Sequence, residues 1–173
     1  PLSITKPVLA FVGPLGSGKT TLARHTLRSG ILPGRWSYLI NDSAPADDMV
    51  DGAVNPDLAE VRALAGGCFT CENPEELSRR IREAVNDPQI AGVIIEGFGS
   101  VAGTETVSAL QQIGIPFHVV ATLDARNHAR NLAILGHVVA TQVAAATIGI
   151  GVTKAGTINI DDPSLDDLRA FVG

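Results

Sequence analysis

Aromatic residues are scarce in this chain. It has one tryptophan, one tyrosine and five phenylalanines, 4% of 173 residues. So few stacking platforms make a single-strand nucleic-acid surface a poor expectation. Lysine and arginine form no cluster, and the net charge is −5. A dedicated nucleic-acid partner is therefore not expected. No apolar run reaches the roughly 20 residues of a membrane helix, and the N-terminus lacks a signal-peptide layout. These absences point to a cytoplasmic protein with no membrane partner. Cysteine is limited to Cys68 and Cys71, three positions apart. A disulfide framework needs more, and in a cytosolic chain this spacing suggests metal or redox chemistry first. Internal repeats and low-complexity linkers are also missing. The length suits one domain over residues 1–173, and a 45% hydrophobic fraction can supply its core.

The most informative stretch is Gly13-Pro14-Leu15-Gly16-Ser17-Gly18-Lys19-Thr20, followed by Thr21-Leu22. It sits between an apolar run, Val8 to Val12, and a helix-like segment, Thr20 to Leu27. That is the strand–loop–helix setting of a phosphate-binding P-loop. Backbone N–H groups of Gly13, Leu15, Gly16, Ser17, Gly18 and Thr21 are expected around an anion, at the positive end of a helix. Lys19 is expected to reach the β- and γ-phosphates, and the Thr20 hydroxyl to bind Mg²⁺. The plain alternative is a glycine-rich turn with a surface lysine.

Short apolar runs recur and end in polar residues. Ser37 to Ile40 leads to Asn41-Asp42, Ala91 to Ile95 to Glu96-Gly97, Phe117 to Leu123 to Asp124, and Ala146 to Val152 to Thr153-Lys154. Such runs read as buried parallel strands. Ala59 to Leu64 is a further candidate. Helices are predicted after Asn73-Pro74-Glu75-Glu76, from Thr104 to Gln112, from Arg126 to Ala145 with a break or turn at Gly136, and after Ser164. The alternation predicts an α/β fold, a P-loop NTPase with helices on both faces of a mostly parallel sheet. Ligands then bind outside the carboxyl ends of the strands. Asn41, Asp42, Glu96, Asp124 and Lys154 all fall there.

Glu96 is expected to hold Mg²⁺ or to orient the attacking water, and Asp42 is a second candidate for either task. Each could instead cap a loop. Gly97 and Gly99 would let the intervening backbone bend toward a γ-phosphate. Asp124 reads as a structural cap for the helix that Arg126 begins. The segment from Ser43 to Gly67 is either a nucleotide-sensing switch or an acidic surface loop. Thr153-Lys154 fits the start of the guanine-reading motif Asn/Thr-Lys-x-Asp, but Gly156 stands where the base-reading aspartate belongs. ATP is therefore an alternative to GTP. Cys68 and Cys71 supply half of a tetrahedral site for Zn²⁺ or another transition metal, or are simply two reduced thiols. His25, His118, His128 and His137 show no ligand spacing.

The order of these motifs resembles the CobW-like metallochaperone GTPases, relatives of the hydrogenase and urease maturation GTPases. The matching residues are Gly13 to Leu22, Asn41-Asp42, Gly66-Gly67-Cys68 through Cys71, Glu96 to Gly99, Asp124, the Gln142 to Ala146 helix and Thr153-Lys154. The resemblance implies a Mg²⁺-dependent GTP hydrolase that loads a metal ion into a client metalloprotein or maturation partner. It also implies a nucleotide-dependent homodimer. Two features depart from it: Thr70 replaces the middle cysteine of Cys-x-Cys-Cys, and residues 1–173 are expected to hold the nucleotide domain without the family's smaller C-terminal one, as a compact member or as an isolated domain. Two other functions fit the same phosphate loop: a small-molecule kinase, with Arg79, Arg80 and Arg82 as lid candidates, and a nucleotide-binding module without turnover. For a switch, no arginine is obviously placed as an intrinsic finger, though Arg62 precedes the cysteine stretch.

Overall fold

The computed structural model describes residues 6–40, 57, 59–63, 74–97, 99, 103–127, 130, 133, 136–138, 141 and 149–153. Six strands are present among them: β1 (Val8–Val12), β2 (Arg35–Ile40), β3 (Ala59–Ala63), β4 (Ile90–Glu96), β5 (His118–Asp124) and β6 (Gly149–Thr153). Helices α1 (Lys19–Arg28), α2 (Pro74–Asn86) and α3 (Gly103–Ile113) lie between them. The strands form one sheet in the order β3-β2-β4-β1-β5-β6, and every registered pair is parallel.

Strand order explains where the helices sit. From β1 the chain steps over β4 to β2, toward one edge of the sheet; from β4 it steps over β1 to β5, toward the other. Parallel crossovers are right-handed, so reversing the direction of travel moves the connecting helix to the opposite face. The two cores follow. Under α1, Ala23 and Leu27 pack with Phe11, Trp36, Tyr38, Ile40 and Ile94. Under α2 and α3, Leu77, Ile81, Leu110 and Ile113 pack with Val8, Ala10, Val12, Leu39, Val93 and Ile95. Alternate residues of one strand thus serve alternate cores, the period-two consequence of a pleated strand.

Helix ends follow local chemistry. Pro74 opens α2, where its missing N–H costs nothing, with Glu75 and Glu76 in the first turn. Gly114 closes α3 at a φ of 71°, and its N–H donates to the Gln111 carbonyl at 3.0 Å. Arg82 of α2 donates through Nη2 to the Ile113 carbonyl at 2.5 Å, tying the two helices together.

Two expectations need adjustment. Gly136 is helical, with His137 and Val138, so the glycine itself is not a turn. A glycine inside a helix costs only about 1 kcal/mol. The strands also run one residue further than their apolar stretches: Glu96 closes β4 and Asp124 closes β5. The helix expected after Ser164 lies outside the described residues, as do Asn73 and 142–148.

Candidate functional site

The loop between β1 and α1 is anchored from below. Gly13 has a φ of 149°, and a Cβ there would stand 2.3 Å from Thr122 Oγ1, 2.4 Å from the Thr122 carbonyl oxygen and 2.7 Å from Ser17 Oγ. Only glycine fits such a position. Thr122 of β5 donates its hydroxyl to the Val12 carbonyl at 3.1 Å, and the Ser17 and Thr122 hydroxyl oxygens are 2.6 Å apart. A hydroxyl has one proton, so Ser17 is the donor in that second bond. The Ser17 N–H donates to the Pro14 carbonyl at 3.1 Å and closes the turn. Ser17 is fully buried, and its side chain serves the shape of the loop.

Above this anchor α1 begins without a side-chain cap. Gly18 is the N-cap residue, in a left-handed conformation, and the first turn holds no acidic residue. The leading N–H groups of a helix carry its positive partial charge and need outside acceptors. Lys19, in the same turn, is buried. Its Nζ donates to the carbonyls of Gly13 at 3.0 Å and Pro14 at 3.1 Å. Burial pushes its pKa down, against the opposing pull of the Glu96 charge. A phosphate beside it would relieve that burial cost. Leu15 and Thr21 are exposed around the rim, Leu15 at 83%; Gly16 has a φ of 73°.

Glu96 lies level with Phe11 of β1 and Ile40 of β2. Its side chain shares the α1 face with Ile94, two residues back. It accepts from two hydroxyls: Thr20 Oγ1 donates to Oε1 at 2.5 Å, and the Tyr38 hydroxyl donates to Oε2 at 2.6 Å. Both Glu96 and Tyr38 are buried. Burial, then the charge and hydrogen bond of Glu96, push the Tyr38 phenol well above its ordinary pKa. No ion pair among the described residues includes Glu96. A carboxylate and a hydroxyl at the mouth of an anion cradle are hard oxygen donors. They suit Mg²⁺, which pairs one or two protein ligands with phosphate oxygens.

Beyond Glu96 the chain stays close to the loop. The Gly97 N–H donates to the Phe11 carbonyl at 2.8 Å, so this amide is spent on β1 and is not the one that meets a γ-phosphate. A Cβ at Gly99 would lie 2.6 Å from the Leu15 nitrogen. This glycine therefore lets two backbones touch.

Other sequence candidates fall elsewhere. Asp124 is buried; Arg126 N–H donates to its Oδ1 at 2.9 Å and Asn127 Nδ2 to its Oδ2 at 2.8 Å, so it caps a turn over 125–127 in place of the expected helix start. Arg62 lies on β3, at the edge of the sheet and separated from β1 by β2 and β4, and pairs with Glu60 at 2.9 Å. Arg79 and Arg80 pair with Glu76 at 2.5 and 2.7 Å, and Arg82 caps α3. That leaves no arginine lid on α2. Thr153 ends β6 in register with Asp124, at the same edge of the sheet. Asp42, Cys68, Cys71, Lys154 and Gly156 lie outside the described residues. Within them no group of three or more His, Cys, Asp or Glu could hold a metal, and no helix is long and apolar enough to cross a membrane.

Tyr38 and Thr122 are the residues sequence reasoning missed. Each looks like ordinary strand filling. The signal available was parity: Tyr38 shares its strand face with Trp36 and Ile40, and Glu96 shares its face with Ile94.

A sequence model of the CobW/HypB/UreG nucleotide-binding domain matches residues 7–162. Among solved structures, the hydrogenase maturation factor HypB from Archaeoglobus fulgidus is similar at a TM-score of 0.55 and 15% identity, over 98% of this chain and 91% of that one. A de novo designed P-loop NTPase fold is matched at a TM-score of 0.39 and 16% identity, over 96% and 91%. A comparison with curated proteins finds no match. With its glycine-anchored loop, uncapped helix end and strand-end glutamate in place, the chain belongs to the CobW/HypB/UreG nucleotide-binding family.

Proposed function

We propose that this chain is a Mg²⁺-dependent nucleoside triphosphate hydrolase, with GTP as substrate, acting as a switch in metal handling or metalloenzyme maturation. The observation that carries this reading is the convergence of Lys19, the uncapped start of α1 and the Thr20–Glu96 pair at one mouth. In this reading the backbone of Gly13, Leu15, Gly16, Ser17, Gly18 and Thr21 surrounds the phosphates. Lys19 turns from the loop carbonyls to the β- and γ-oxygens and offsets charge that develops on them. Thr20 offers its hydroxyl oxygen to the cation, while Glu96 or Asp42 orients water. When bound, Mg²⁺ neutralises charge across the β- and γ-phosphates. Thr153 and Lys154 bring the end of β6 toward the purine. Metal handling would rest on Cys68 and Cys71 with Zn²⁺ or a similar ion; the partner would be a client metalloprotein, and nucleotide would promote a homodimer. The fold it shares with a maturation factor supports the choice of switch over kinase, as does the pairing of Arg79 and Arg80 with Glu76.

The test is binding and phosphate release by the purified chain with GTP and with ATP, each with Mg²⁺ or EDTA. GTP should bind more tightly than ATP and be hydrolysed slowly, only with Mg²⁺. Tighter ATP binding would overturn the guanine assignment. Failure to bind either would overturn the whole reading. Repeating the GTP titration with Zn²⁺ probes the metal switch. Reciprocal linkage requires each ligand to change the other's affinity, and independent binding would remove that part.

A further inference from the structure

We propose that Tyr38 is a positioning residue for the divalent cation. Its buried hydroxyl fixes Glu96 so that the carboxylate accepts the hydrogen bond of the Thr20 hydroxyl and leaves that hydroxyl's lone pairs facing the cation. The inference rests on the Mg²⁺-dependent reading above and extends it to a residue on a different strand.

The chain of contacts is short. Tyr38 donates to Glu96 Oε2 at 2.6 Å, and Thr20 donates to Glu96 Oε1 at 2.5 Å. Each carboxylate oxygen thus holds one hydroxyl proton. Thr20 has only one proton, so its bond to Glu96 commits it and aims its lone pairs elsewhere. Tyr38 itself is fully buried on β2, among Phe11, Trp36, Ile40 and Ile94. It cannot swing with solvent, so the angle of the carboxylate is set by the sheet. Both donors are neutral. They orient Glu96 without cancelling its charge, which stays available to a cation and its water shell. A core position in β2 needs only an apolar residue for packing. A phenol there brings a desolvation cost that its bond to Glu96 offsets.

The experiment measures the affinity of the whole chain for a fluorescent guanine nucleotide, in EDTA and across a Mg²⁺ titration. Tyr38→Phe should raise the Mg²⁺ midpoint about 10-fold, the usual scale for groups that orient metal ligands. Affinity in EDTA should not change, because the phosphate loop is intact. On a Glu96→Gln background the same substitution should have no effect on the midpoint. A merely structural role for Tyr38 would weaken binding equally in EDTA and Mg²⁺. That result, or an unchanged midpoint, would overturn the proposal. If wild type itself shows no Mg²⁺ effect, the underlying reading fails instead. Should Tyr38→Phe not fold, a second measurement keeps the hydroxyl. Tyr38 is the sole tyrosine, so 3-fluorotyrosine labels it alone. Its ¹⁹F resonance should move when Mg²⁺ joins the nucleotide complex, with the same midpoint as the affinity gain. A resonance that ignores Mg²⁺, while affinity responds, would overturn the proposal.

Discussion

The amino ends of α1 and α2 face the same electrostatic problem and answer it in opposite ways. Each presents free N–H groups and a positive partial charge. At α2 the chain supplies its own acids, Glu75 and Glu76, and then neutralises Glu76 with Arg79 and Arg80. At α1 it supplies none: the N-cap is glycine, no acid lies in the first turn, and a lysine adds positive charge. The nearby carboxylate, Glu96, is held by two hydroxyls, and no ion pair among the described residues includes it. One end is closed by the chain; the other is left for an anion and its cation. The difference is the one expected between a helix start that stabilises the fold and one that binds a ligand, the role proposed above for α1.

The strongest way to break the comparison is to move the α1 end. Gly13→Ala puts a methyl group 2.3 Å from Thr122 Oγ1 and 2.4 Å from its carbonyl, at a φ of 149°. Overpacking and backbone strain each cost about 1–3 kcal/mol, so the fold should lose about 3 kcal/mol. Urea unfolding measures this. Nucleotide binding should fall with it, because the same contacts set the path of the loop. A loss below about 1 kcal/mol would mean that the Thr122 anchor yields easily.

A smaller step makes α1 resemble α2. Thr21 is exposed in the first turn of α1. Thr21→Glu places a carboxylate where α2 carries Glu75 and Glu76. The added charge opposes a triphosphate near the loop, and triphosphate affinity should fall about 10-fold at low salt. The folded state should gain slightly, since an acid at a helix start is favourable. Titration of nucleotide against both chains at two salt concentrations checks this. The gap should narrow as salt rises, because the added charge is at the surface.

How much of this was legible beforehand depends on distance along the chain. The loop from Gly13 to Thr20 is a local pattern, and local patterns carry their own geometry. The sheet was legible because buried parallel strands read as apolar runs. Their ends were less so. Glu96 and Asp124 belong to their strands despite being charged, because each finds hydrogen-bond partners inside the fold. A rule that stops a strand at the first polar residue stops one position early. Tyr38 and Thr122 were hidden for a different reason. Tyr38 meets Glu96 across 58 positions and Thr122 meets Ser17 across 105. Only the strand order β2-β4-β1-β5 brings those pairs together. Gly136 is helical despite its low helix propensity, which is a weak prior.

The least consequential change lies at the closed end and sharpens the contrast by leaving the ligand site alone. Glu76 is drawn down to a pKa of about 2 by its hydrogen bonds to Arg79 and Arg80. A carboxylate lowered in the folded state adds stability above its unfolded pKa and loses it as pH falls through the folded one. The contribution should therefore be present above about pH 4.5 and drain away toward pH 2. Arg79 and Arg80 stand partly in solvent, and exposed pairs of this kind add little. Glu76→Gln should lower the thermal midpoint far less than Gly13→Ala does, and less again at high salt. Its midpoint should meet that of wild type as the acid limit is approached, with nucleotide affinity and Mg²⁺ midpoint unmoved throughout. A shift in either ligand property would mean that the α2 end is coupled to the α1 end. The two helix starts would then be parts of one device, with one charge balance.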